Sequence, residues 1–516
     1  MSPTDSPTET AGSAAATDTA DTADTDTDTT AAAETTFDVI VIGAGAIGEN
    51  AADRVVQGGL SAALVEAELV GGECSYWACM PSKALLRSGA VLRAAERVGG
   101  AREAITGDLD VQAVLDRRNK TVSEYRDDSQ VEWVKGAGIT LVRGHARFTG
   151  PKELSVTAAD GTVSSLTARH AIVVSTGSAA LLPDIPGLAD SAPWTSREAT
   201  SAQTIPARLA IMGGGVVGAE MATAYASLGS KVTVLSRSGL LSNQEPFAGE
   251  LVRDALVKLG ADVKIGVSAT NVTRNGAGGE LSLTLDDGSE LVVDELLVAT
   301  GRVPNTGDLG LETIGLEAHS WLDVDDTLLV KADGNDALGG EWLYAAGDVN
   351  HRALLTHQGK YQARAAGDVI VARAKGEPLS IDPWGAHVAT ADHQAVPQVT
   401  FTDPEVASVG LTEAAAKKAG FDVKSVDYNI GWVAGASVTA DGYEGTARMV
   451  VDQKRQVVLG ATFVGQDVGE LLHSATIAVV GEVPLNRLWH AVPSYPTISE
   501  VWLRLLETYG RDASSR

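Results

Sequence analysis

Two stretches of this chain repeat one plan, and that repetition limits its possible folds more than any other feature. The first reads "FDVIVIGAGAIGENAADRVVQGGLSAALVE". Its opening run, Phe37 to Ile42, is short, apolar and rich in β-branched residues, which predicts a strand buried in a parallel sheet. Gly43, Gly45 and Gly48 follow in G-x-G-x-x-G spacing, then a helix, then a second strand "AALVE" ending at Glu66. In such a βαβ unit the first two glycines allow a tight turn and a close approach of backbone to a pyrophosphate, and the third lets helix and strand pack closely. The phosphates sit at the helix N-terminus, where free N–H groups and the dipole favour anions. Glu66 stands about 20 residues on, where a carboxylate accepts from ribose hydroxyls.

The second stretch, "LAIMGGGVVGAEMATAYASLGSKVTVLSR", places Gly213, Gly215 and Gly218 between a strand and a helix, with "KVTVL" as the second strand. Two dinucleotide folds in one chain imply two dinucleotides, or one redox pair with FAD in the first and NAD(P)H in the second. Ser236 and Arg237 stand where the second unit's acid is expected. A carboxylate there would repel a 2′-phosphate, whereas an arginine can pair with one, which favours NADPH. A solvated surface arginine is the other reading of Arg237, and NADH stays open.

At 516 residues the chain is too long for one core and suggests about three domains. A net charge of −27 argues against nucleic acid and anionic membrane surfaces as partners. No apolar run is long enough to span a membrane. Residues 1–36 carry eight acidic residues, no basic residue and almost nothing apolar. They read as a disordered acidic tail, without the basic and apolar regions of a signal peptide.

Only two cysteines occur, Cys74 and Cys79, in "GGECSYWACMPSK". So few thiols exclude a disulfide-stapled secreted scaffold and suit a reducing cytoplasm, where a close pair is redox-active or metal-binding more often than structural. A zinc site needs about four ligands. No second C-x-x-C or H-x-x-x-H accompanies the pair and the nine histidines are scattered, so no metal is expected.

With these residues in view the chain resembles the class I pyridine nucleotide–disulfide oxidoreductases, which include dihydrolipoamide dehydrogenase, glutathione reductase and mercuric reductase. "GGECSYWACMPSK" resembles the redox motif C-x-x-x-x-C-x-P-S-K. "STGS" with Thr176 and Gly177, and "ATGRVPN" with Gly301, resemble the strand-end turns beside the cofactors. "YAAGDV" resembles the second FAD motif, whose aspartate, here Asp348, holds the ribityl chain. "LTHQGKYQA", with Thr356 and His357, follows as the segment near the flavin pyrimidine does. "VPQVTFTDPEVASVGLTE" resembles the opening of the dimerisation domain.

The resemblance implies two Rossmann-type α/β domains and a C-terminal α+β dimerisation domain. The expected division is an acidic tail at 1–36, the FAD domain at 37–185, the NAD(P) domain at 186–303, a return to the FAD domain at 304–395 and dimerisation at 396–516. It implies a homodimer, with Cys79 facing the flavin as a charge-transfer thiolate and Cys74 attacking the substrate disulfide. It pairs Lys83, beside the flavin N5, with Glu220. The residues agree in part, because a thiol at a helix start, which Pro81 marks, has its pKa lowered.

Three departures matter. Family members end with a histidine before Pro-Thr and a glutamate a few residues later. Here "VPSYPTISE" has Tyr495 at the histidine position, while Pro496, Thr497 and Glu500 match. A phenol with a pKa near 10 cannot serve as a base the way imidazole does, though it can donate a hydrogen bond. His490 could substitute only if the loop is rebuilt. Tyr76 and Trp77 lie between the cysteines, where they either shape an acceptor site or pack against the flavin domain. Asn243 stands where NADPH-using relatives often carry a second arginine. No C-terminal cysteine pair is present, which disfavours mercuric reductase and large thioredoxin reductase activities. Three functions remain: an FAD enzyme passing electrons from NAD(P)H through Cys74–Cys79 to a small-molecule disulfide; a quinone or dye reductase that needs no histidine; and a redox-sensing binding flavoprotein.

Overall fold

The computed structural model of the chain describes residues 35–510, so the expected acidic tail lies almost wholly outside the described residues. The first sheet is built on the strand read from the sequence. β1 (Thr36–Ile42) pairs in parallel with β2 (Ala62–Glu66), register Val39 to Ala62 and Ile42 to Val65. Between them runs α1 (Ala46–Gln57). Next along the chain come α2 (Gly72–Tyr76) and α3 (Cys79–Glu96). β3 (Thr140–Arg143) extends the sheet beyond β2, and β6 (Val163–Val174) lies on the other side of β1. β6 is long enough to serve two roles. Its first half carries the antiparallel strands β5 (Glu153–Thr157) and β4 (His145–Gly150), while its second half pairs in parallel with β11 (Leu343–Ala345). Val39, Ile40, Val41, Ile172, Val173 and Val174 are fully buried, as a sheet covered on both faces requires. Each such side chain contributes about 1.5–3 kcal/mol by leaving water.

The second unit is inserted between β6 and β11. β7 (Arg208–Met212), α4 (Val216–Ser227), β8 (Lys231–Ser236), β9 (Asp262–Ile265) and β10 (Glu295–Val298) form a parallel sheet in the order β9-β8-β7-β10. The two-residue period of β7 decides its packing. Leu209 and Ile211 join the core under α4, while Ala210 and Met212 join a core beneath a three-stranded antiparallel meander at 269–293.

After β11, α5 (Thr356–Lys375) returns to pack against α1. The approach is close: a Cβ on Gly359 would lie 2.5 Å from Ile47 Cγ1, and one on Gly367 would lie 2.8 Å from Arg54 Cβ. The C-terminal unit is an antiparallel sheet of five strands: β12 (Pro397–Thr400), β13 (Glu405–Gly410), β14 (Val423–Asn429), β15 (Thr446–Asp452) and β16 (Val457–Gly465). β16 is central and buried along its whole length, and α6 (Leu472–Val480) and α7 (Val501–Tyr509) share its core. Asp403, just after β12, ties this unit to α3 by accepting from Arg93 Nε at 2.5 Å and Arg97 Nη2 at 2.9 Å.

Candidate active site

The first glycine turn is shaped by what surrounds it. Gly43 has φ +98°, a region L side chains rarely adopt, and a Cβ there would lie 2.6 Å from the Ser175 carbonyl oxygen. A Cβ on Gly48 would lie 1.8 Å from the Gly43 carbonyl oxygen, so α1 docks on the turn only because residue 48 has no side chain. Gly45 caps α1 without a side-chain hydrogen bond, which leaves the first-turn N–H groups to an anion. Glu66 closes the turn: its carboxylate accepts from Ala44 N and Glu68 N, each at 2.7 Å. Beside it the Thr176 hydroxyl is buried without a partner. An orphaned hydroxyl next to a cradle that a Cβ would fill fits a bound dinucleotide.

The "STGS" and "ATGRVPN" turns meet. Asn305 N donates to Gly177 O at 3.1 Å, Asn305 Nδ2 to Thr176 O at 3.0 Å, and Leu181 N to Gly301 O at 2.9 Å. Asp348 follows β11 and accepts from Ser178 Oγ at 2.5 Å, and Ser178 Oγ in turn accepts from Arg302 Nε at 2.9 Å. The second glycine turn repeats the first. A Cβ on Gly213 would meet the Ala299 carbonyl oxygen at 2.1 Å, one on Gly218 would meet Gly213 O at 2.0 Å, and Gly215 faces open space. Arg237, at the end of β8, is exposed and makes no ion pair among the described residues.

Cys74 lies in α2, the helix is interrupted at Trp77 and Ala78, and Cys79 is the first residue of α3. Both thiols are free and half-buried. Cys79 Sγ lies 3.3 Å from Thr356 Oγ1 at the start of α5. The hydrogen bond from Cys74 brings the Cys79 thiol down to about 6, helped by the Thr356 hydroxyl and the charge of Lys83 and opposed by burial. Cys74 moves up, through that same bond, burial and the negative charge on Cys79. Of the two, Cys79 is therefore the more readily ionised.

One turn along α3, Lys83 Nζ donates to Glu220 Oε2 at 2.8 Å. Glu220, 3% exposed on α4, takes Phe401 N at 3.0 Å on its other oxygen, and Lys83 lies over the Phe401 ring at 4.9 Å. This pair joins both glycine units and the C-terminal sheet. Tyr76 and Trp77 pack into the scaffold. Tyr76 is buried and donates to Val70 O at 3.0 Å, and Trp77 stacks with Arg197 at 4.1 Å. His357 is exposed, with Nε2 2.7 Å from Pro397 O. Tyr495 is 77% exposed, with no side-chain hydrogen bond among the described residues. Glu500 is buried and accepts from Arg504 at 2.6 Å, and its other oxygen has no partner. Within one chain these two residues are not joined to the cysteine pair.

Residues 37–372 match the family model described as pyridine nucleotide-disulphide oxidoreductase, and 396–505 match its dimerisation domain. The chain belongs to this family. It is 30% identical to a mercuric reductase of Staphylococcus aureus, over 93% of this chain and 83% of that one. It is 33% identical to a dihydrolipoyl dehydrogenase of Thermus scotoductus, over 93% and 98%. In fold it is similar to the HOCl-induced flavoprotein disulfide reductase RclA of Escherichia coli, solved as a copper(II) complex, with a TM-score of 0.77 at 24% identity over 92% of this chain and 99% of that one. As the family is, this oxidoreductase is FAD-dependent with NAD(P)H as electron donor. Among the described residues no cluster of histidine, cysteine and acidic side chains could hold a metal ion, and no helix is long and apolar enough to cross a membrane.

Sequence reasoning did not single out Ser178, Arg302 or Glu49. Ser178 stood within a quoted motif, but its bond to Asp348 spans 170 residues and has no local signature.

Proposed function

We propose that this enzyme uses NADPH to reduce a small-molecule disulfide through Cys74 and Cys79. FAD, when bound, relays the electron pair from the nicotinamide to the cysteines. The observation that carries the reading is the placement of the pair, with Cys79 opening α3, 3.3 Å from the Thr356 hydroxyl, and Cys74 half-buried in α2 just before it. Cys74 attacks one sulfur of the substrate, whose disulfide bond breaks, and the leaving thiolate takes up a proton. Cys79 then displaces the second thiol and closes the Cys74–Cys79 bond. Lys83, held by Glu220, supplies positive charge beside Cys79.

In this reading Gly43, Gly45, Gly48, Glu66, Thr176, Gly177, Asp348, Thr356 and His357 serve FAD, within 37–185 and 304–395. Gly213, Gly215, Gly218, Gly301 and Arg237 serve the nicotinamide nucleotide, within 186–303. The free Arg237 supports NADPH over NADH. Residues 396–516 build a homodimer in which Tyr495 and Glu500 face the partner's cysteines, and a chain with only two cysteines suits a reducing cytoplasm. The exposed phenol of Tyr495 favours a second reading, a quinone reductase that needs no base.

Anaerobic stopped flow separates the two. Enzyme reduced with one equivalent of NADPH is mixed with oxidised lipoamide or with a simple quinone. Rapid reoxidation by lipoamide that Cys74→Ser abolishes is expected. Reoxidation by quinone alone, indifferent to Cys74→Ser, overturns the disulfide reading.

A further inference from the structure

Tyr76 and Trp77 separate the two cysteines, and what holds Trp77 comes from a distant part of the chain. Pro81 creates the need. It stands four residues after Trp77 and has no N–H to offer the Trp77 carbonyl at the helix interruption. The Thr200 hydroxyl, on a residue 2% exposed, donates to that carbonyl at 2.8 Å. Arg197 holds the side chain. Its guanidinium stacks on the Trp77 ring at 4.1 Å, and that ring lies 5.6 Å from the ring of Tyr76. The same guanidinium donates to Glu73, the residue before Cys74, and to Glu68 at 2.7 Å.

The short helix Ser196–Ser201 opens with a capping box, Thr195 with Glu198, and sets Arg197 and Thr200 three residues apart on one face. Its surroundings bind it to the nucleotide unit. Trp194 N donates to Leu296 O and Val298 N to Trp194 O, each at 2.8 Å, so residue 194 runs along the edge of β10. Tyr225 of α4 donates to Ala199 O at 2.6 Å. Arg118, fully buried, donates to Thr200 O and, at 2.7 Å, to Ala202 O. The segment being held begins against the FAD cradle, where Gly71 N donates to Ala44 O at 2.7 Å. Arg197 neutralises Glu68 and Glu73 on that segment, which limits their repulsion of a pyrophosphate bound in the cradle.

We propose that residues 194–202 are a strap that fastens the redox loop to the nucleotide unit, with Arg197 and Thr200 as positioning residues that set how readily Cys74 and Cys79 close into a disulfide. The inference rests on the reading in which these cysteines are the redox pair. Closure joins the two sulfurs and releases two electrons and two protons. It is favoured when the sulfurs are kept at close range, whereas an unfastened loop samples many separations. The strap grips Glu73 on one side of Cys74 and Trp77 on the other, so it fixes the end of α2 and the interruption that leads to Cys79.

The test reads the closure equilibrium rather than turnover. FAD-loaded enzyme is equilibrated anaerobically with mixtures of reduced and oxidised dithiothreitol; the oxidised form takes up the two electrons and two protons of closure as its own S–S bond opens. Free thiols are then alkylated, and the mass of the peptide spanning Cys74 and Cys79 gives the disulfide fraction. Arg197→Met and Thr200→Val are each expected to lower the closure constant about three- to tenfold. Thr200→Ser keeps the hydroxyl and should retain the native constant. Constants in both Arg197→Met and Thr200→Val that stay within twofold of native, or exceed it, overturn the strap, even if the variants melt at lower temperature. If Arg197→Met fails to retain FAD, the Thr200 variants decide: a loss in valine that serine restores supports the strap, and a native constant in valine overturns it. Native enzyme that forms no disulfide in any mixture overturns the reading of the cysteine pair itself. Native closure beside unchanged variants overturns the strap alone.

Discussion

Replacing Thr356 with valine removes a hydroxyl from Cys79 while keeping the side chain's shape. The contact is 3.3 Å from sulfur to oxygen, and the thiolate it stabilises titrates at about 6. Hydrogen bonds to charged groups contribute about 1.5–3 kcal/mol, and a contact to a diffuse sulfur anion belongs at the low end. Since one pKa unit is about 1.4 kcal/mol, the substitution should raise the Cys79 value by about one unit. At pH 7 the thiolate fraction then falls from about 0.9 to about 0.5. The direction with pH follows: Cys79 reactivity is lost as the pH falls through about 6 in the native enzyme and through about 7 in the variant. Ultraviolet thiolate absorbance of the reduced enzyme, followed against pH, gives the value directly. Thr356→Ser keeps the donor and should titrate as the native enzyme does. Cys74→Ala removes the larger influence and should shift Cys79 further upward. A Thr356→Val enzyme that still titrates at the native value refutes the hydrogen-bond argument.

Other substitutions probe other parts of the site. Lys83→Met leaves Glu220 buried with only the Phe401 N–H; breaking a buried pair costs about 3–5 kcal/mol, reduced to about 2 by the exposure of Lys83. Urea unfolding should show that loss and its recovery in Lys83→Met/Glu220→Leu, and equal losses in single and double variants would exclude it. Gly48→Ala drives a Cβ against the Gly43 carbonyl and should yield protein depleted of FAD, whereas Gly218→Ala should keep FAD and raise the NADPH KM about tenfold or more; full FAD occupancy in Gly48→Ala would contradict the cradle. Arg237→Ala should raise the KM for NADPH about tenfold and leave NADH within twofold, and equal effects on both nucleotides would remove Arg237 from specificity.

The parts of this enzyme that were legible in sequence are those governed by short-range rules. The β-branched run at 37–42 and the glycines at 43, 45 and 48 specify a strand, a turn and a helix start, because sterics at each glycine depend on near neighbours. The cysteine spacing was legible for the same reason, since four residues cover the end of α2 and the break before α3. What the sequence withheld was the placement of groups joined by distant segments. Ser178 holds Asp348 only because β6 and β11 are neighbours. Glu49 looks like an ordinary polar residue of an amphipathic helix, and only the packing of α5 on α1 buries it. Tyr76 and Trp77 were open to two readings because ring size does not tell which way a ring points, and the structure turns both into the scaffold. Tyr495 was legible as a departure from the family, and only the structure shows it exposed and apart from the cysteine pair of its own chain.

One measurement bears on the central claim most directly. Air-oxidised enzyme and enzyme treated anaerobically with one equivalent of NADPH are each quenched with iodoacetamide and digested, and the peptide spanning Cys74 and Cys79 is weighed. If the pair carries the electrons, the oxidised enzyme yields an unmodified, disulfide-linked peptide and the reduced enzyme yields one alkylated at both cysteines. Identical alkylation before and after NADPH, with the flavin bleached, would mean that electrons stop at FAD and that Cys74 and Cys79 take no part.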